Sequence, residues 1–240
     1  MKSLGIAKHP AGIHQSSLRR LWARLLWWRF RLFQSRRYNR LVLEHIDGRP
    51  FVILPQVLNP GLFEASTFLA QTVNSIPLVP ETRVLDLGTG AGLSAIVAAQ
   101  QVRCVTASDI NPEAVRCARI NAWFNRVDDR IDVLEGDLFA PLIDRRFDMI
   151  AFNPPFFRGV PRDRLDQAWR STDVIERFAA ELQAHLSPTG FALVIYSSAA
   201  DEAALRRAFE ANGLHYSIFA QRDVLSEVLT IYRVATRATE

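Results

Sequence analysis

The chain has 240 residues, 49% of them hydrophobic, which is enough for one α/β domain with an attached N-terminal segment and too few for two enzymatic domains. Cys104 and Cys117 are the only cysteines, and the absence of a C-x-x-C pair or His/Cys cluster excludes a disulfide framework and a structural zinc site; no metal is expected, and both thiols are expected in the core of a cytoplasmic protein. The net charge of +4 is unevenly distributed: residues 1–43 hold ten Lys/Arg and no acid, while the remainder holds 19 basic and 25 acidic residues, so any polyanion contact belongs to the N-terminal part.

Residues 1–17 mix Gly, Pro, His and Ser without hydrophobic periodicity and read as a lead-in. Leu18–Asn39 reads as an amphipathic helix, with Arg20, Arg24 and Arg31 on one side and Leu21, Leu25, Trp28 and Leu32 on another. Its arginines interrupt every apolar run well short of the roughly 18 residues that a membrane span needs. An acid-free, Arg-rich amphipathic segment is also the character of an organellar transit peptide. With Trp22, Trp27 and Trp28 it suits nucleic acid, the ribosome, an anionic membrane surface, or packing on the rest of the chain. Residues 1–50 are therefore expected as a basic N-terminal arm and 51–240 as the catalytic domain.

LVLEHI and FVIL flank Asp47-Gly48 and predict a short hairpin spanning Leu41–Leu54. A helix is expected over Phe63–Asn74 and a linker over Ile76–Thr82. Strands and helices then alternate: VLDL, LSAIVAAQ, VTASD, PEAVRCARINAWF, IDVLE and MIAFN, followed by a helix over 171–186, the strand 191–197 and a helix over 201–212. HYSIFAQ and EVLTIYRV, separated by Arg222-Asp223, are expected as an antiparallel pair at the sheet edge. The pattern predicts a doubly wound, Rossmann-like, mostly parallel seven-stranded sheet with an antiparallel edge strand.

The turn after VLDL carries Gly88, Gly90 and Gly92. Glycines between a buried strand and a helix let the backbone approach a ligand that a Cβ would exclude. A dinucleotide-binding turn has the spacing G-x-G-x-x-G, whereas this one is Asp86-x-Gly-x-Gly-x-Gly. A carboxylate at that strand end repels a pyrophosphate and suits an aminoacyl group, so a nicotinamide cofactor is the weaker reading. Downstream, Asn153-Pro154-Pro155-Phe156 follows the strand ending at Phe152, at the cofactor side of the sheet. A planar amide or exocyclic amine is a poor nucleophile that must be held in line with an electrophile. The Asn153 side-chain oxygen and the Pro154 carbonyl can accept its two N–H groups, the prolines stiffen the loop, and Phe156 is expected to stack on the target.

VLDLGTGAG, Asp86 to Gly92 with Thr89 among them, resembles the first motif of Rossmann-like methyltransferases that use S-adenosyl-L-methionine (SAM). The resemblance implies that this loop packs against the methionine part of SAM and that Asp86 orients its aminoacyl end. Asp109, 23 residues further on, then accepts the ribose hydroxyls. Asp137 accepts from the adenine amino group, with Leu138 or Phe139 bordering the ring and Ile110 covering its other face. With Asn153–Phe156, the chain resembles the amino-methyltransferases of Asn-Pro-Pro-aromatic signature, shared by release-factor glutamine enzymes of the HemK type, adenine-N6 enzymes and some ribosomal guanine-N2 enzymes.

NPGLFEASTFLA and the segments AWRSTDVIERFAAELQAHLSPTGFALVIYS and EVLTIYRV are similar to the short eukaryotic and archaeal branch of the HemK-type group, over about residues 51–235. On that resemblance Thr67 lies near the cofactor. Two departures stand out: Ala65-Ser66 replaces an acidic pair, and Phe156 replaces the usual Tyr, giving a tetrapeptide also found in guanine-N2 enzymes. The acceptor this implies is first a protein glutamine, in a translation factor for example, then an RNA or DNA base or a small molecule. A non-catalytic RNA-binding module is the reading from a different class.

Overall fold

The computed structural model describes residues 39–236, so the expected basic helix lies, up to residue 38, outside the described residues. β1 (Val42–Ile46) and β2 (Arg49–Ile53) form the expected hairpin. Asp47 and Gly48 turn it at φ of 48° and 77°, the two positive values that match a two-residue turn to strand twist. Its Ile46, Phe51 and Ile53 are buried in the main core, so pairing and packing both run across residue 50.

After α1 (Glu64–Ser75) come β3 (Val84–Leu87), α2 (Leu93–Ala98), β4 (Val105–Asp109), α3 (Pro112–Phe124), β5 (Ile131–Glu135) and β6 (Phe147–Phe152). α3 starts where the sequence signals it: Pro112 occupies the first turn, where its missing N–H costs nothing, and the Asn111 side chain accepts from Glu113 N at 3.1 Å. β7 (Phe157–Arg158) and β8 (Arg170–Ser171) form a small parallel ladder, followed by α4 (Val174–His185), β9 (Leu186–Ser197), α5 (Glu202–Ala211), β10 (Leu214–Val224) and β11 (Glu227–Thr236).

The seven-stranded sheet has the order β10-β11-β9-β6-β3-β4-β5, with β11 antiparallel to both neighbours. Strand alternation sends side chains to two faces. Val84, Met149, Ala151, Leu193 and Ile195 meet α1, α2, α3 and the hairpin, whereas Leu85, Ile150, Phe152, Val194 and Tyr232 meet α4 and α5. This two-sided burial explains why the strands read as continuous apolar runs.

Four local expectations are corrected. The helix expected from residue 171 starts at Val174, because Arg170 and Ser171 extend to pair with Phe157 and Arg158. β9 starts at Leu186, not 191: Leu186 pairs with Phe147 and Phe191 with Met149, so the Pro-Gly segment between them bulges rather than ending the strand. A Cβ on Gly190 would stand 2.6 Å from the Phe147 carbonyl oxygen, which fixes glycine there. Arg222 and Asp223 lie within β10, and the turn falls at Leu225, φ 49°; Arg222 is held in the strand by α1, with its guanidinium 4.2 Å from the Phe68 ring centroid and donating to Gln71 Oε1 at 2.8 Å. Cys104 is exposed in the loop before β4, and only Cys117 is in the core, its Sγ donating to the Val52 carbonyl at 3.2 Å.

Candidate active site

β3 and β6 are parallel neighbours, but the sheet grows to one side of β3 through β4 and β5 and to the other through β6 and β9, and such a switch point opens a crevice at the carboxyl ends of the strands. The register lines up its contents. Leu87 pairs with Ser108 on β4 and with Phe152 on β6, so Gly88, Asp109 and Asn153 stand side by side one residue further on. Asp109 pairs in turn with Glu135, which brings Gly136 and Asp137 into the row. A cavity of about 350 Å³ opens over these ends, within the roughly 300–1,000 Å³ of small-molecule sites.

The glycines of the loop have distinct jobs. Gly88, Gly90 and Gly92 all have positive φ, of 65°, 57° and 87°. A Cβ on Gly90 would meet nothing within 4 Å, so it would occupy space left free for a ligand, whereas one on Gly92 would press on Ala118 of α3 at 3.3 Å. Gly90 keeps the cradle open and Gly92 lets α2 and α3 approach.

Asp86 is 5% exposed, and Thr89 Oγ1 and Ala95 N donate to its Oδ2 at 2.6 and 3.0 Å. Burial pushes its carboxyl up to about 6, against the opposing pull of the Thr89 and Ala95 bonds. Among the described residues no hydrogen bond reaches its Oδ1. Asp109 uses its carboxylate to brace the loop: Oδ2 accepts from Gly90 N and Oδ1 from Asn111 N, each at 2.9 Å. Burial raises its carboxyl as well, and these N–H donors oppose the rise.

Ile110, Leu138 and Asp137 line the same end of the cavity, Ile110 exposed and Leu138 buried at φ 48°. Asp137 is already engaged: Arg177 of α4 donates to both its oxygens, at 2.7 and 3.2 Å, and reaches Asp173 at 3.3 Å. The Asp137 bond chiefly raises the Arg177 guanidinium. Sequence gave no hint of Arg177, because the salt bridge joins residues 40 apart.

Asn153 and Pro155 line the opposite end of the cavity. Asn153 Nδ2 donates to Ser66 Oγ at 3.1 Å. Thr67 does not line the cavity: its hydroxyl donates to the Glu64 carbonyl at 2.9 Å, inside α1, and Ser66 takes the inward position instead. Pro154 is buried, and Phe156 turns from the cavity to meet Tyr196 edge-on, centroids 5.5 Å apart. The Phe156 ring therefore anchors the tetrapeptide turn between the two core faces, and the expected stacking platform is not presented.

The donor set fits SAM on the observations above: an unshared carboxylate oxygen at Asp86 for an ammonium group, an open backbone cradle at Gly90, and apolar walls at Ile110 and Leu138. Among the described residues no group of His, Cys, Asp and Glu is arranged to hold a metal ion, and no helix is long and apolar enough to cross a membrane.

Residues 59–220 match the model of the family described as the methyltransferase small domain. The release factor glutamine methyltransferase of Koribacter versatilis is similar, 32% identical over 163 residues that make up 61% of this chain and 57% of that protein. A Methanocaldococcus jannaschii chain assigned as a protein N5-glutamine methyltransferase is 29% identical over 195 residues, 78% of this chain and 95% of that one. The chain spans 38–59% of the length of the first bacterial glutamine methyltransferases that it matches. Among solved structures, the T. thermophilus 16S rRNA N2 methyltransferase, in complex with AdoMet and guanosine, shares the fold at a TM-score of 0.62 and 23% identity, over 82% of this chain and 50% of that one.

Proposed function

Because the chain belongs to the methyltransferase small domain family, with S-adenosylmethionine as its cofactor, we propose that it methylates a planar nitrogen, and that this nitrogen is the side-chain amide of a protein glutamine. The observation that carries the reading is the bond from Asn153 Nδ2 to Ser66 Oγ. It commits the donor end of the Asn153 amide and leaves Oδ1 to accept, in a residue that lines the cavity. A glutamine amide offers two N–H donors, matched by Asn153 Oδ1 and the Pro154 carbonyl. Accepting both draws the amide lone pair out of conjugation and holds the nitrogen for in-line attack.

SAM, when bound, supplies an electrophilic methyl group on a sulfonium sulfur. Asp86 would hold the cofactor's ammonium, the Gly88–Gly90 backbone would take its methionine part, and Asp109 would accept from the ribose hydroxyls with the lone pairs that Gly90 N and Asn111 N leave free. Asn153 would keep the acceptor nitrogen facing the methyl position while its lone pair forms the N–C bond and the methyl's bond to sulfur breaks, leaving a neutral thioether; the extra proton would then leave the nitrogen for solvent, so no side chain has to remove it first. Relatives named as glutamine methyltransferases support the choice of acceptor, and translation factors are the first to test. An exocyclic amine of RNA offers the same two donors, and the ten basic residues of positions 1–43 favour it as the second reading.

The test is to incubate the protein with cell extract and isotopically labelled SAM, then separate protein, RNA and small molecules. Label in protein, recovered after digestion as methylated glutamine, is the expected result. Label confined to RNA would replace the first reading with the second, and label in none would contradict both.

A further inference from the structure

We infer that residues 157–173 form the acceptor-reading rim of the site, and that the acceptor is a polypeptide segment carrying a carboxylate near the reacting glutamine, paired with Arg164. The inference rests on the glutamine reading and adds to it the chemistry of the flanking residues. Pro161, Arg164, Gln167 and Arg170 of this segment line the cavity that holds Asn153.

The segment is built as a rigid strap rather than a loose loop. Its ends are joined by the β7–β8 ladder. Its middle closes on Asp166, which is buried and accepts from Arg162 N at 3.0 Å, Arg162 Nε at 3.2 Å and Arg170 Nε at 3.0 Å. Arg162 foremost, with Arg170, holds that carboxyl well below the usual range. Trp169 pins the strap to the body by meeting Phe63 edge-on, with centroids 4.6 Å apart. Asp163 is spent within the strap, its Oδ1 accepting from Asp166 N at 2.8 Å.

Three of the four strap arginines are therefore committed: Arg162 and Arg170 to Asp166, and Arg158 to Glu176 of α4. Arg164 is the exception. It is exposed, lines the cavity, and has no ion-pair partner among the described residues. A cation held over the mouth by a fixed scaffold selects a partner of opposite charge more than it adds raw affinity. Beside it the strap exposes Val160, 76% accessible, and Phe157, 41% accessible. The valine and the Phe157 ring give the rim an exposed apolar surface beside the Arg164 cation, a combination that suits an apolar and acidic stretch of polypeptide.

The probes are fluorescent peptides with one central glutamine flanked by Glu, Gln or Lys, and an unstructured RNA oligonucleotide of similar length. Binding to the SAM-loaded full chain is followed by anisotropy, and methyl transfer with labelled SAM, for the parent protein, Arg164→Gln and Arg164→Glu. The expected result is about tenfold tighter binding of Glu-flanked than Lys-flanked peptides at low salt, no preference in Arg164→Gln, and a reversed preference in Arg164→Glu. Equal binding of all flanks, an unchanged preference in Arg164→Glu, or RNA as the only probe weakened by the charge reversal each overturns the inference. Methyl transfer indifferent to the flanks overturns it while keeping the glutamine reading. A flank preference that follows Arg164 without methyl transfer upholds the rim and contradicts the glutamine reading.

Discussion

Asn153, just past the end of β6, and Ser66 on α1 are 87 residues apart in sequence, and the hydrogen bond between them, 3.1 Å long, commits the Nδ2 end of the Asn153 amide to α1. Ser66→Ala removes the oxygen that accepts from Nδ2 and lets the amide rotate. Misplaced reacting groups cost up to about a hundredfold in rate, so turnover is expected to fall by about ten- to a hundredfold. SAM affinity should stay unchanged, and Ser66→Thr should retain most of the activity. Steady-state rates with calorimetric SAM titrations check this; an unimpaired Ser66→Ala enzyme would show that Asn153 is oriented by other means.

With Asp86 as the ammonium's partner, SAM binding should depend on pH. Its carboxyl is raised by burial to about 6, so in the free protein it takes up a proton as pH falls through that value. Binding the cofactor's ammonium requires the ionised form, and affinity should therefore fall by up to about tenfold per pH unit below about 6. The sign for stability is opposite: between about 4 and about 6 the folded state holds the proton that the unfolded chain has lost, so stability without SAM declines as pH rises through that window. Calorimetry at pH 5 and 7.5, with denaturant unfolding at both, tests the pair; SAM affinity that is flat with pH contradicts the role given to Asp86.

The loop glycines separate stability from binding. Gly92→Ala places a Cβ 3.3 Å from Ala118 at φ 87°, and should destabilise the fold by about 1–3 kcal/mol. Gly90→Ala meets open space at φ 57°, costs about 1–2 kcal/mol from the backbone alone, and fills the cradle. Gly90→Ala should therefore lose far more SAM affinity than its stability loss explains. Urea midpoints beside SAM dissociation constants distinguish the two, and equal effects of both substitutions on binding would contradict the division.

Much of the sheet is legible in the sequence because burial on both faces writes each strand as an apolar run between turns, as in VLDL and VTASD. The row of Gly88, Asp109 and Asn153 follows from parallel strands ending together. Less legible is what depends on partners distant in sequence. Ser66, one of the two residues that replace an acidic pair, takes its meaning from Asn153, and Arg177 takes its own from Asp137. Phe156 reads as a stacking ring in the tetrapeptide, yet Tyr196 on β9 claims it. The strap of 157–173 is invisible to periodicity because its order comes from Asp166 gathering two arginines. β9 begins early for a similar reason: its first residue is held by Phe147, with a bulge where Pro188 and Gly190 suggest an end.

Arg177 joins the cofactor end of the cavity to the strap through Asp137 and Asp173. The side chains of its pairs are 41–55% exposed, and exposed ion pairs contribute about 1 kcal/mol or less. Arg177→Ala should thus change stability little, but it frees Asp137 and should alter SAM affinity by severalfold. A thermal melt with and without SAM separates these effects, and a large loss of stability with unchanged affinity would make the pair a scaffold contact.

In the proposed reaction Asn153, just past the end of β6, positions the acceptor for methyl transfer from a cofactor bound elsewhere in the same cavity. The most direct test is methyl transfer by Asn153→Ala at saturating labelled SAM, with SAM affinity measured on the same preparation. Transfer is expected to fall by about a hundredfold or more while the dissociation constant for SAM stays within about threefold. Transfer at the parent rate would contradict that role.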